Sequence, residues 1–177
     1  MPHDELFSVK QVAMRIAEKR GVSEAQVARV IRYLTAEGVI PSQFQGGAGP
    51  TAPKLWSEAG VHRIAILVEL NRLGLSDDLV RAASTYMNNF FGVDADGIGD
   101  PGRDGQTRSD RLWKILPKLR EGYSYYFHLY LVPDYFQKPG NILGGTFSES
   151  SDGGSPHPFN CTTITVNLLP VLPLRQD

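Results

Sequence analysis

The chain of 177 residues has one cysteine, Cys161. An internal disulfide is impossible, and a metal cluster held by several thiolates of one chain is excluded. No stretch approaches the roughly 18 consecutive apolar residues that a membrane-spanning helix requires. The N-terminus, MPHDELFSVK, is acidic and lacks an apolar run, so it does not read as a signal peptide. No paired carboxylates, nucleophile elbow or phosphate-cradling glycine loop stand out. Gly46–Gly49 lacks the Lys and Ser/Thr that such a loop needs. The expectation is a soluble, cytoplasmic protein that is not an enzyme, carries no cofactor or metal and has no membrane partner.

An excess of one charge is also absent, since the formal net charge is −1. Its distribution is uneven. Residues 1–63 hold eight Lys and Arg against six Asp and Glu, while residues 123–177 hold two against four. An anion-binding surface is therefore expected in the N-terminal part.

What is present is a run of capped helices. In residues 8–20, SVKQVAMRIAEKR, Val9, Val12, Ala13 and Ile16 fall at helical spacing, with Ser8 and Gln11 as a capping box and Gly21 as the stop. Ser23 and Gln26 suggest a second capping box, and Val22 and Val27 a hydrophobic staple. The helix over 23–37 buries Val27, Val30, Ile31 and Leu34 and ends at Gly38. Two helices joined by a tight glycine turn form a helix-turn-helix candidate. Residues 39–56 read as two short strands around a Gly/Pro-rich tip, a wing over 42–55. Ser57 caps a third helix over about 58–73, with Val61, Ile64, Ala65, Val68 and Leu73 on its core side. Ser76 begins a fourth, carrying Leu79, Val80, Ala83, Met87 and Phe90, which Gly92 ends.

The remainder differs in composition. Residues 93–106 are a linker. Asp94, Asp96 and Gly99 sit where a calcium loop would want them, but Ile98 and Gly105 stand in place of oxygen ligands, so an acidic linker is the better reading. A short helix at about 107–120 is cut by Pro117. In YSYYFHLYLVP, Tyr125, Phe127, Leu129 and Leu131 alternate with Tyr126, His128 and Tyr130, a strand pattern. It is expected to pair antiparallel with residues 161–169, across a mobile loop at 137–160. The fold class expected is α+β: an N-terminal winged helix-turn-helix over 1–92, mostly α, and a small C-terminal α/β module over 107–177 with an antiparallel strand pair. The aromatic residues Tyr123, Tyr125, Tyr126, Phe127, Tyr130, Tyr135 and Phe136 are either the core of that small sheet or a ligand or partner surface centred on Tyr125, Phe127 and Tyr130. The spacing of His128, His157 and Cys161 matches no metal-site pattern.

Four segments carry a family resemblance. RYLTAEGVIP at 32–41 resembles the Arg-Tyr-Tyr-Glu-x-x-Gly-Leu-Ile-Pro segment of MerR-type winged-helix regulators. KLWSEAGVHRIAILVELNRLGLSDDLV at 54–80 resembles that family's wing strand, helix and following helix. The turn GVS at 21–23 and the start FSVKQVA at 7–13 also fit, so the likeness covers about residues 6–90, half the chain. It implies a dimeric, DNA-binding transcriptional regulator. The chain departs from the pattern in three places. The spacings Ala13 to Gly21 and Ser23 to Arg32 are each longer by about one helical turn. The wing carries only Lys54 as a cation. Gly92 and the linker stand where the family's long dimerisation helix would follow, so a homodimer stays open.

DNA recognition needs cations for phosphates and forked or amide groups for base edges. Gln26 and Arg29, early in the second helix, are placed to reach bases in a major groove. By resemblance, Arg32, Tyr33 and Arg63 imply phosphate contacts. Gln45 and Lys54 would serve the wing on the backbone. Each of these residues singly also fits a solvated helix face; the case rests on their joint context. The expected partner is double-stranded DNA, with an effector or protein partner at the C-terminal module undecided. The competing expectations are a protein-interaction module and an excisionase-like architectural DNA-binding factor.

Overall fold

The structure, a computed structural model, describes residues 5–41, 44–49, 52–88, 115, 117–131, 142–149 and 162–173. The expected linker, the calcium-like loop, Phe90, Gly92, Tyr135, Phe136, His157 and Cys161 lie outside these residues. The fold is mixed helix and strand, with two small antiparallel sheets. The chain divides into two compact units, one of residues 1–81 with 170–173 and one of residues 82–169 with 174–177. No helix among the described residues is long and apolar enough to cross a membrane.

In the first unit, strand β1 (Phe7–Ser8) leads into helix α1 (Val9–Arg20). Ser8 and Gln11 close the expected capping box, which satisfies amides that the first helical turn leaves without partners. Gly21 ends α1 in the left-handed conformation, φ 64°, where a side chain would be strained. Helix α2 (Glu24–Ala36) follows after a short turn. Its expected capping box does not form. Ser23 holds the cap position, but its side chain makes no capping bond. Its ψ is 125°, against 165° and 171° at Ser8 and Ser57, the serines that do cap. Val12, Ala13 and Ile16 of α1 and Val27, Ile31 and Leu34 of α2 are buried, as their spacing predicts.

Strands β2 (Phe44–Gln45) and β3 (Lys54–Trp56) pair antiparallel where the hairpin is expected. β1 joins the other edge of β3, pairing Phe7 with Trp56, so the sheet has three strands in the order β1-β3-β2. Trp56 is fully buried and donates its indole N–H to the Pro41 carbonyl, which ties the hairpin to the chain leaving α2. Helix α3 (Glu58–Arg72), capped by Ser57, is the centre of this unit. Besides the expected Val61, Ile64, Ala65 and Val68 it buries Ile66, Leu67 and Leu70, so it is covered nearly all round. Leu73, expected in the core, is 48% exposed, because it falls at the C-cap where the chain turns away. Helix α4 (Asp77–Asn88) begins at Ser76, and the division between the units falls within it, after Arg81. Residues 170–173 complete the unit. Val171 and Leu172 are buried there, and the Pro173 carbonyl accepts from Arg15 at 3.1 Å.

In the second unit, residues 117–120 are helical, and the Pro117 carbonyl accepts from the Glu121 amide; residues 107–114 and 116 of the expected helix lie outside the described residues. Strand β4 (Tyr126–Leu131) pairs antiparallel with β6 (Thr162–Asn167), as expected. A third strand, β5 (Ile142–Ser148), pairs with the other edge of β4, inside the stretch expected as a loop. Its Gly144–Gly145 pair breaks the apolar alternation that marks a strand. Between two neighbours, β4 is buried on both faces: Phe127, His128 and Leu129 are successive and fully covered.

Candidate nucleic-acid interface

The glycine turn at Gly21 sets α2 against α1, and the buried stripe of α2 fixes which residues face outward. Gln26, Arg29, Arg32 and Tyr33 are all exposed. Arg29 and Arg32 lie one turn apart. With Lys10 from the first turn of α1 they line an open groove that also includes Ala25, Ala28 and one carboxylate, Glu24. No hydrogen bond or ion pair among the described residues engages Lys10, Arg29 or Arg32. Three cations against one anion, unneutralised and beside small residues, can accept a phosphate backbone at close approach. Lys10 is not among the residues singled out by sequence; its spacing from Arg29 is set by the helix crossing.

The other expected residues divide. Gln45 and Lys54 are brought opposite one another across β2 and β3, as a single amide–cation rung. Gln26 faces away from the basic groove and lines a cleft on the opposite side of α2, with Val27 and Val30. Tyr33 departs from the role the resemblance implies: its hydroxyl donates to the Asp77 carboxylate at the start of α4. That bond raises the Tyr33 pKa above its usual value, with further upward pushes from burial and from the charges of Asp77 and Glu37. A phosphate there would meet the Asp77 charge. Arg63 is half-buried on α3 and already has an interaction partner; burial lowers its pKa from the usual guanidinium value.

The remaining arginines of the unit bond other parts of it, Arg15 and Arg20 half-buried and Arg72 and Arg81 at the surface. Arg15 lies over the Phe7 ring at 4.8 Å and 3.6 Å from the Glu58 carboxylate. Arg20 and Arg72 both bond Glu69, at 3.0 Å and at 2.7 and 2.9 Å. Arg81 donates to the Glu37 carbonyl at 2.7 Å, closing the last turn of α2 beside Gly38, whose φ is 69°.

In the second unit, the aromatic residues that read either as sheet core or as a surface are mostly interior. Phe127 is fully buried and Tyr125 is 5% exposed, while Tyr130 is half-buried. The alternation that would display a row of aromatics is overridden because β4 is a central strand, not an edge. The Tyr125 hydroxyl bonds Glu149, which also pairs with Lys118. His128 is buried, with Nδ1 2.9 Å from the Thr165 hydroxyl. Among the described residues no group of three His, Cys, Asp or Glu is placed to hold a metal ion.

No family model, curated protein or solved structure matches the chain. The likeness to MerR-type regulators therefore stands on the four quoted segments alone.

Proposed function

We propose that the first unit is a winged helix-turn-helix that binds duplex DNA, as part of a transcriptional regulator. The observation that carries the reading is the groove of Lys10, Arg29 and Arg32, unneutralised on the exposed side of the second helix of a tightly turned pair. In this reading α2 enters the major groove, Arg29 reaches a base edge, and Lys10 and Arg32 hold phosphates. The β2–β3 hairpin is the wing, with Lys54 on the backbone and Gln45 beside it. Gln26 and Tyr33 are not carried into the contact set, because one faces the opposite cleft and the other is bound to Asp77.

Few cations imply modest affinity for a single copy. About three phosphate contacts give a salt slope of about −3 in log K against log salt. The test is fluorescence anisotropy with a pool of random duplexes across a salt series. Binding is expected at low salt and lost near physiological salt. Arg29→Ala and Arg32→Ala together should remove it while the domain stays folded. Undiminished binding by the folded double variant would overturn the assignment of α2. No binding at any salt would favour the competing reading, a helix pair that docks a protein.

A further inference from the structure

The sheet of the second unit runs β5-β4-β6, so among the described residues β5 and β6 are its two edges. An edge strand carries a row of amides and carbonyls able to pair with another strand, and natural edges are blunted by a charge, a proline, a bulge or a covering segment. The β5 edge is irregular. Its register against β4 shifts between Tyr130 and Leu131, and Gly144 and Gly145 lie in mid-strand. The β6 edge, TTITVN, is not. It has no charged residue, no proline and no glycine, and its register with β4 is unbroken from Thr162 to Asn167. The side chains of Thr162, Thr163, Thr165 and Asn167 are exposed.

The direction of the free backbone groups follows from the ladder. The Leu168 amide donates to the Tyr125 carbonyl at 2.8 Å, one step beyond the paired Tyr126 and Asn167. Hydrogen-bonded pairs alternate along an antiparallel ladder, so Val166, Ile164 and Thr162 also direct their amides and carbonyls to β4. Those of Thr163, Thr165 and Asn167 point outward. Among the described residues no strand and no backbone hydrogen bond takes them up.

We propose that β6 is a dimerisation edge, where β6 of a second copy pairs antiparallel about a two-fold axis at Thr165 and joins the two three-stranded sheets into one. A second copy is the occupant because the strand is complementary to itself. With Thr165 opposite Thr165 of the second copy, Thr163 meets Asn167 and Ile164 meets Val166. The outward amides and carbonyls then face outward carbonyls and amides. Hydroxyl and amide side chains share one face, the branched apolar side chains share the other, and no like charges oppose each other. Ile164 is half-buried opposite the fully buried Leu129, and it gains Val166 of the second copy as further cover. One short edge buries less than the roughly 1,200 Å² of a standard interface, so the dimer is weak, with a dissociation constant of about 10–100 µM.

The test uses the full-length, nitrogen-labelled protein. Sedimentation equilibrium from about 5 µM to about 500 µM should show a monomer giving way to a dimer. Amide hydrogen exchange at about 50 µM and about 1 mM should locate the contact by its alternation. Thr163, Thr165 and Asn167 should exchange about threefold more slowly at the higher concentration, while Ile164 and Val166, already bonded to β4, should not change. Thr163→Pro removes an outward amide and leaves the bonds to β4 in place, since proline is tolerated on the free side of an edge strand. It should keep the far-UV circular dichroism spectrum and weaken the dimer about tenfold or more. If the proline disturbs the strand, the exchange pattern of the wild type still decides. A monomer at every concentration, exchange at the three outward residues that ignores concentration, or a dimer that survives in folded Thr163→Pro would each overturn the proposal. None of these outcomes depends on whether the protein binds DNA.

Discussion

The arginines of α1 and those of α2 do opposite things. Arg15 and Arg20 are turned into the first unit, where they hold Glu58, Glu69 and the carbonyl of Pro173. Arg29 and Arg32, on a helix of similar length and composition, engage nothing among the described residues. The difference lies in what each helix faces. α1 packs beside α3, which supplies Glu58 and Glu69, and beside residues 170–173. Among the described residues that line the groove beside Arg29 and Arg32, the one carboxylate is Glu24. Counting cations in this segment therefore overstates the surface charge: half of its arginines are structural. A basic face is defined by the arginines that lack partners, not by their number.

That contrast can be broken or sharpened by measurement. The largest effect is expected at the segment that the α1 arginines hold. Leu172→Ala removes a fully buried side chain from the first unit and should cost about 3 kcal/mol in urea denaturation. A cost near zero would mean that residues 170–173 are not part of that core.

Next comes the cluster itself. Glu69→Ala leaves Arg20 facing a partly covered site without its carboxylate and should cost about 2 kcal/mol. The same residue predicts a pH dependence. The Arg72 hydrogen bonds lower the Glu69 pKa from its usual 4.5, with Arg20 adding to the shift and burial opposing it. A carboxylate whose folded pKa is depressed contributes stability above the unfolded value. That contribution is lost as pH falls through the folded value. Wild type and Glu69→Gln should thus differ at neutral pH and converge in acid below the ordinary carboxylate range. A constant difference across that range would show that the charge of Glu69 does not contribute to stability.

The α2 arginines should behave in reverse. Arg29→Ala or Arg32→Ala should change stability by no more than about 0.5 kcal/mol. In the proposed function each should lower duplex affinity, and Arg32→Ala should also flatten the salt slope by about 0.9. Destabilisation without loss of binding would reverse the comparison. The smallest effect is expected for Tyr33→Phe. It removes only the exposed hydroxyl bond to Asp77, so duplex affinity should be unchanged. A loss of binding would restore Tyr33 to the contact set.

Much of the first unit was legible in the sequence because its signals are local. Ser8 with Gln11, Gly21, Gly38 and Ser57 act within one helical turn of themselves, and the apolar spacing of α1 and α2 names their buried faces directly. The hairpin was legible from its Gly/Pro tip. The candidate site was legible only in part. Arg29 and Arg32 read as exposed because they fall off the apolar stripe. Whether Tyr33 is available depends on Asp77, 44 residues away, and Arg63 is covered by burial that its own spacing does not announce, while Lys10 carries no local mark. In the second unit, the pairing of β4 with β6 followed from alternation, whereas β5 was hidden by Gly144 and Gly145.

By itself, then, the sequence determined the capped helices, their turn and their inward stripes, since these follow from backbone geometry and side-chain spacing within a few residues. Only the tertiary structure decided which cations are spent inside and which face out. It also made β4 a central strand that buries Phe127, and brought Val171 and Leu172 back to the first unit. Those outcomes rest on contacts between residues far apart in the chain, where partner, distance and burial are fixed by packing and leave no periodic trace.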